Sequence, residues 1–139
     1  MEDLFTRMIL GHLVSDYLLQ PKEMATQKGG DKTITGTIWC LLHCIVYTGV
    51  VTLFIWNFDP KVMFLIFASH YPIDRFSLGE EWLKVIKARS VREEYFAEDH
   101  VRLRPVLISF ASIIYVVADN TMHFLLLYGI NLLIKSGMI

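Results

Sequence analysis

The sequence predicts an all-α chain: an integral membrane helical bundle of four main helices plus a cytoplasmic amphipathic helix, forming a single domain over residues 1–139. Three observations lead there. The composition is 54% hydrophobic and only 19% charged, with a mean hydropathy of +0.45, more apolar than an ordinary soluble domain. The apolar residues fall into four segments of helical length. Within those segments, histidines and aspartates recur four residues apart: His12 with Asp16, His70 with Asp74, and Asp119 with His123. Residues at i and i+4 share one face of a helix, so each pair presents an imidazole and a carboxylate together.

The first segment covers residues 4–19, is short for a span, and ends before Pro21. The second, 38–56, holds CLLHCIVYTGVVTLFIW with His43 as its one ionisable imidazole, and matches the roughly 20 residues that cross a hydrocarbon core. Cys40 and Cys44 lie in this run and read as small buried hydrophobes rather than a disulfide or a zinc pair. The third starts at Pro60, a natural first-turn proline after Asp59, and continues as KVMFLIFASHYPIDRFSL. Pro72 predicts a kink or break between His70 and Asp74. The fourth, 105–134, is long enough to span with tilt or a bend.

Residues 20–37 form a polar linker, and 79–104 read differently again. EEWLKVIKARSVREEY places Trp82, Leu83, Val85 and Ile86 among charges, the pattern of an amphipathic surface helix, and AEDHVRLRP reads as a turn. The acidic start, Glu2 and Asp3, does not resemble a signal peptide.

Charge orients the expected bundle. With four spans, the two polar connections share one side and carry nine of the thirteen basic residues. The positive-inside rule then puts the connections in the cytoplasm and both termini outside the cytoplasm. His12, Asp16, His43, His70 and Asp74 all fall toward the cytoplasmic ends of their helices. Asp119 falls deeper, about 21 Å into the fourth segment at 1.5 Å per residue, unless that helix starts outside the membrane. A net charge of −1 argues against nucleic acid as a partner.

Ionisable groups in apolar surroundings need a compensating partner. The candidate metal ligands are His12, Asp16, His43, His70, Asp74, Asp119 and His123. Mixed imidazole and carboxylate donors suit one or two divalent ions, with Zn, Mn or Fe foremost. Seven donors exceed the needs of one tetrahedral zinc, so the site holds two ions or some aspartates orient imidazoles. Metal-assisted hydrolysis is the expected chemistry, with Asp74 or Asp119 accepting a proton and Arg75 or Lys28 stabilising charge on the substrate. The expected partners are the lipid bilayer and a small amphiphilic substrate, lipid-like or phosphorylated; a homo-oligomer is compatible with the sequence. The alternatives are a non-enzymatic membrane module, an ion-conducting or transport component or a structural partner protein with a buried polar network, and a soluble protein with unusually apolar helices. Gln20 and Asn120 are candidate supporting amides; Tyr17, Tyr71 and Tyr128 read as packing aromatics, and His100 has no assigned role. Gly11, Gly49 and Gly129 are expected at close helix contacts.

MILGHLVSDYLLQPKEMATQKG, the LLH at 41–43, ASHYPIDRF at 68–76 and ADNTMHFLLL at 118–127 together resemble the DUF3307 family. These are small bacterial and phage membrane proteins, distantly similar to proteins described as membrane-bound metal-dependent hydrolases. The resemblance implies a site of His12, Asp16, Gln20, Lys28, His43, His70, Asp74, Asp119 and His123. Family members commonly carry Gln where this chain has Asn120, and Pro72 departs from the pattern.

Overall fold

A computed structural model describes residues 3–29, 33–87 and 104–139. Among the described residues there are six α-helices and no strands, so the all-helical expectation holds. Helix α1 runs Leu4–Leu13 and passes into one π-helical stretch, Val14–Leu18, closed by Leu19 N–H donating to the Val14 carbonyl at 3.1 Å. Pro21 fits the start of a short helix, α2, Lys22–Gln27, within what the sequence presents only as linker.

Helix α3, Ile34–Ile55, begins where the Thr33 hydroxyl accepts from the Gly36 N–H at 3.2 Å, and ends at Trp56 in the left-handed region, φ 55°. Helix α4, Pro60–Phe76, is capped by Asp59, whose carboxylate accepts from Lys61 N–H at 2.8 Å. It runs unbroken through Pro72, so of the expected kink or break the break does not occur. The proline removes one N–H, and the packing of α4 on its neighbours holds the remaining turns. Ser77, at φ 48°, turns the chain directly into α5, Leu78–Lys87. The rest of the expected amphipathic helix and the 97–103 turn, including His100, lie outside the described residues. Helix α6, Arg104–Lys135, completes the order.

Helix α3 packs against α1 and α4, while α6 packs against α4, α5 and α1. Met8, Tyr47, Val51, Ile55, Val62, Ile66, Leu127 and Ile130 form the apolar core between them. Gly11 is required at the α1–α3 crossing, because a Cβ there would lie 3.0 Å from the Val51 Cα. Gly49 and Gly129 face open space, so the expected close contacts are absent at those two positions. Cys40 and Cys44 are fully buried free thiols, as the sequence suggests.

Among the described residues two helices, rather than the four expected, are long and apolar enough to cross a membrane: Ile34–Ile55 and Ile108–Lys135. Helix α1 has 10 residues, about 15 Å against a hydrocarbon core of about 30 Å. Helix α4 has 17 residues and carries His70, Asp74 and Arg75 near its end.

Candidate metal centre

The site forms where the end of α1, the first half of α3, the end of α4 and the middle of α6 meet above the apolar core. Each helix delivers its histidine through the periodicity that buries its apolar face. His43 and Tyr47 are one turn apart on α3, and both are buried with Val51 below them. His70 follows Ile66 by one turn on α4, and His123 precedes Leu127 by one turn on α6. His12, His43, His70 and His123 are 0, 1, 1 and 2% exposed.

Four elements therefore bring all seven predicted ligands together. Asp16 Oδ1 lies 3.3 Å from His43 Nε2 and 3.9 Å from His70 Nε2. Asp74 Oδ2 lies 3.1 Å from both of those nitrogens, which are themselves 2.9 Å apart. Asp74 Oδ1 points the other way, to His123 Nε2 at 3.4 Å, and Asp119 Oδ2 is 3.6 Å from the same nitrogen. Asp119 joins them although it lies 15 residues into the 32-residue α6, so it is not set apart from the other side chains by depth.

His12 is held differently. Its Nδ1 lies 3.2 Å from the Tyr47 hydroxyl and its Nε2 2.9 Å from Asn120 Oδ1, with Asp16 Oδ2 at 3.7 Å. Asn120 in turn donates to the Tyr17 hydroxyl and to the Val116 carbonyl. The Gln20 amide meets His43 Nδ1 at 3.2 Å, so both supporting amides contact an imidazole. Tyr47 went unrecognised in the sequence, yet it is fully buried and stacks on His70 at 3.5 Å. Its place one turn after His43 is the signal that could have found it.

Of the two predicted cations, Lys28 reaches the centre: Nζ is 2.7 Å from Asp74 Oδ2. It is positioned by Gly29, where a Cβ would meet Ser77 Oγ at 2.5 Å and the Asp74 carbonyl at 2.8 Å, so the segment after α2 lies directly on the end of α4. Arg75 turns away to α3 and donates to Thr37 Oγ1 at 3.1 Å.

A cavity of about 300 Å³ reaches the centre from one side. Asp16, Asp74 and Asp119 line it together with Lys28, Tyr17 and Tyr115, whereas the four histidines lie outside its wall. Charge and donors are unbalanced here. Three carboxylates against one ammonium leave a formal −2 with neutral imidazoles. Asp16 Oδ1 and His123 Nε2 are buried without a directed hydrogen bond, and Asp74 Oδ2 has only its ion pairs. Buried polar atoms are rarely left so. Three groups of side chains can hold a metal ion: His12 with His70 and His123; Asp16 with His43 and His70; Asp74 with Asp119 and His123.

The chain matches, over residues 4–134, the family described as a protein of unknown function, DUF3307. It belongs to the DUF3307 family. No curated protein and no solved structure matches it. The family description carries no reaction. What this DUF3307 protein does therefore has to be argued from its own side chains.

Proposed function

We propose that this DUF3307 protein is a membrane-embedded, metal-dependent hydrolase acting on a small, lipid-like or phosphorylated amphiphile. One observation carries the reading: carboxylates and imidazoles from separate helices converge beside a cavity that the three carboxylates line, and Asp16 Oδ1 and His123 Nε2 are buried there without a directed hydrogen bond. A divalent cation held there supplies Lewis acidity and lowers the pKa of water. The protein's own groups do the rest. Asp119, with a side chain 19% exposed, lines the cavity, and its Oδ1, the oxygen not turned to His123, is placed to take a proton from water; Asp74, the other expected acceptor, is taken up by the imidazoles and Lys28. Lys28 is placed to neutralise an anionic head group. The histidine side of the centre is dry, which strengthens each charge interaction.

Membrane residence is supported by the outer faces of α3 and α6. Ile34, Ile45, Ile113, Val117 and Leu125 are 60% or more exposed. Only 17% of the apolar window in α6 is buried, whereas a core helix of a soluble protein would be mostly buried. In this reading the site end faces the cytoplasmic leaflet of a bacterial inner membrane.

A second reading, a transport or structural membrane module, draws support from the Lys28–Asp74 pair, which already offsets one carboxylate. Turnover separates the two. Protein loaded with Zn or Mn should hydrolyse p-nitrophenyl phosphates or acyl esters in a chelator-reversible manner, and Asp74→Asn should abolish this. Metal-loaded protein inert toward both ester classes, or equally active as Asp74→Asn, would defeat the hydrolase reading.

A further inference from the structure

We infer that the centre holds two divalent ions bridged by the Asp74 carboxylate, with His12 outside both coordination shells. This rests on the metal-binding reading and deepens it. The observation is that the two oxygens of Asp74 serve different imidazoles: Oδ2 lies 3.1 Å from His43 Nε2 and from His70 Nε2, while Oδ1 lies 3.4 Å from His123 Nε2. Asp74 is 5% exposed; its Oδ2 also meets Lys28 Nζ at 2.7 Å, while at the Oδ1 end His123 Nε2 has no directed hydrogen bond, so the carboxylate joins two groups of donors.

The spacings match two coordination shells. Metal–ligand bonds of about 2.1 Å put neighbouring donors about 3.0 Å apart in an octahedron and about 3.4 Å apart in a tetrahedron. In the first shell, the His43 and His70 Nε2 atoms lie 2.9 Å apart, 3.3 and 3.9 Å from Asp16 Oδ1, and each 3.1 Å from Asp74 Oδ2. In the second, Asp74 Oδ1 and Asp119 Oδ2 lie 3.4 and 3.6 Å from His123 Nε2. Four donors fill the first shell, and three leave the second with a position open. Asp119 borders the cavity, which would give a small molecule access to that ion. A bridging carboxylate suits ions roughly 3.5–4 Å apart, the two-metal arrangement that activates one oxygen and stabilises another.

His12 does not compete for either ion. Both its nitrogens are engaged, by the Tyr47 hydroxyl and by Asn120 Oδ1, and it faces Asp16 Oδ2, the oxygen turned away from the first shell. It is a positioning residue for Asp16. Two divalent ions also reverse the local charge from −2 to +2, which selects an anionic group such as a phosphoryl ester in the cavity.

The experiment loads full-length detergent-purified protein with Mn(II) and reads stoichiometry by elemental analysis and coupling by electron paramagnetic resonance. Wild type should bind two ions with an exchange-coupled spectrum. Asp119→Asn should bind one, uncoupled, and His12→Gln should still bind two. Inorganic phosphate should perturb the spectrum of the loaded wild type and not that of Asp119→Asn. Melting curves and helical circular dichroism accompany each variant, so loss of fold is seen separately. One ion in the wild type, retained in Asp119→Asn, would overturn the bridged pair while leaving a metal site; no ion in any form would remove both.

Discussion

Replacing Gly29 with alanine should loosen the segment that closes the centre, and the size of the effect follows from two contacts. The new Cβ would meet Ser77 Oγ at 2.5 Å and the Asp74 carbonyl oxygen at 2.8 Å. The hydroxyl can rotate aside; the carbonyl belongs to α4 and cannot. The segment must therefore lift by several tenths of an ångström, and Lys28, the next residue back, is carried from its 2.7 Å contact with Asp74. Overpacking of this kind costs about 1–3 kcal/mol. For a chain of this length that is a fall in melting temperature of roughly 3–10 °C. Gly49→Ala is the matched control: nothing lies within 4 Å of its Cβ, and exchanging a mid-helix glycine for alanine should gain about 0.5–1 kcal/mol. Differential scanning fluorimetry in detergent reads both. A Gly29→Ala protein that melts at or above wild type would refute the close approach of this segment to α4.

Other outcomes follow from the same contacts. Tyr47→Phe removes the hydroxyl at His12 Nδ1 but keeps the ring on His70, so it should cost about 1–3 kcal/mol in a thermal melt, whereas Tyr47→Ala should cost about 3–5 kcal/mol. Leu127→Ala, at 1% exposure, should lose about 2–5 kcal/mol, while its neighbour Leu126→Ala, at 44%, should change stability by less than about 1 kcal/mol. Ile45→Arg, on the outer face of α3, should reduce insertion by about 2.5–3.5 kcal/mol and shift the protein out of the carbonate-resistant membrane fraction; unchanged fractionation would count against a lipid-facing α3.

The site was more legible in the sequence than the frame that carries it. Three i,i+4 pairs and the expected depth of His12, His43 and His70 pointed to side chains that the structure does bring together, because helical periodicity fixes which side chains share a face. The π-helical stretch at Val14–Leu18 was not legible, since an extra residue per turn leaves no compositional trace, yet it sits beneath Asp16. Pro72 misled for a related reason: proline penalises an isolated helix, but tertiary packing can carry α4 through it. Two of the four expected spans are not met among the described residues because the helices of 4–19 and 60–78 are too short or too charged, while part of their apolar surface, Met8, Val62 and Ile66, is buried in the core. Tyr47 and the turning away of Arg75 depend on side-chain direction, which periodicity alone does not give.

A cation held by imidazoles and carboxylates from separate helices would show itself in X-ray absorption at the metal edge of the purified protein. The expected spectrum has a mixed nitrogen and oxygen shell at about 2.0–2.2 Å with the outer-shell scattering of imidazole rings. A shell of oxygen alone, or an imidazole signal undiminished when His43 and His70 are both replaced by alanine, would contradict it.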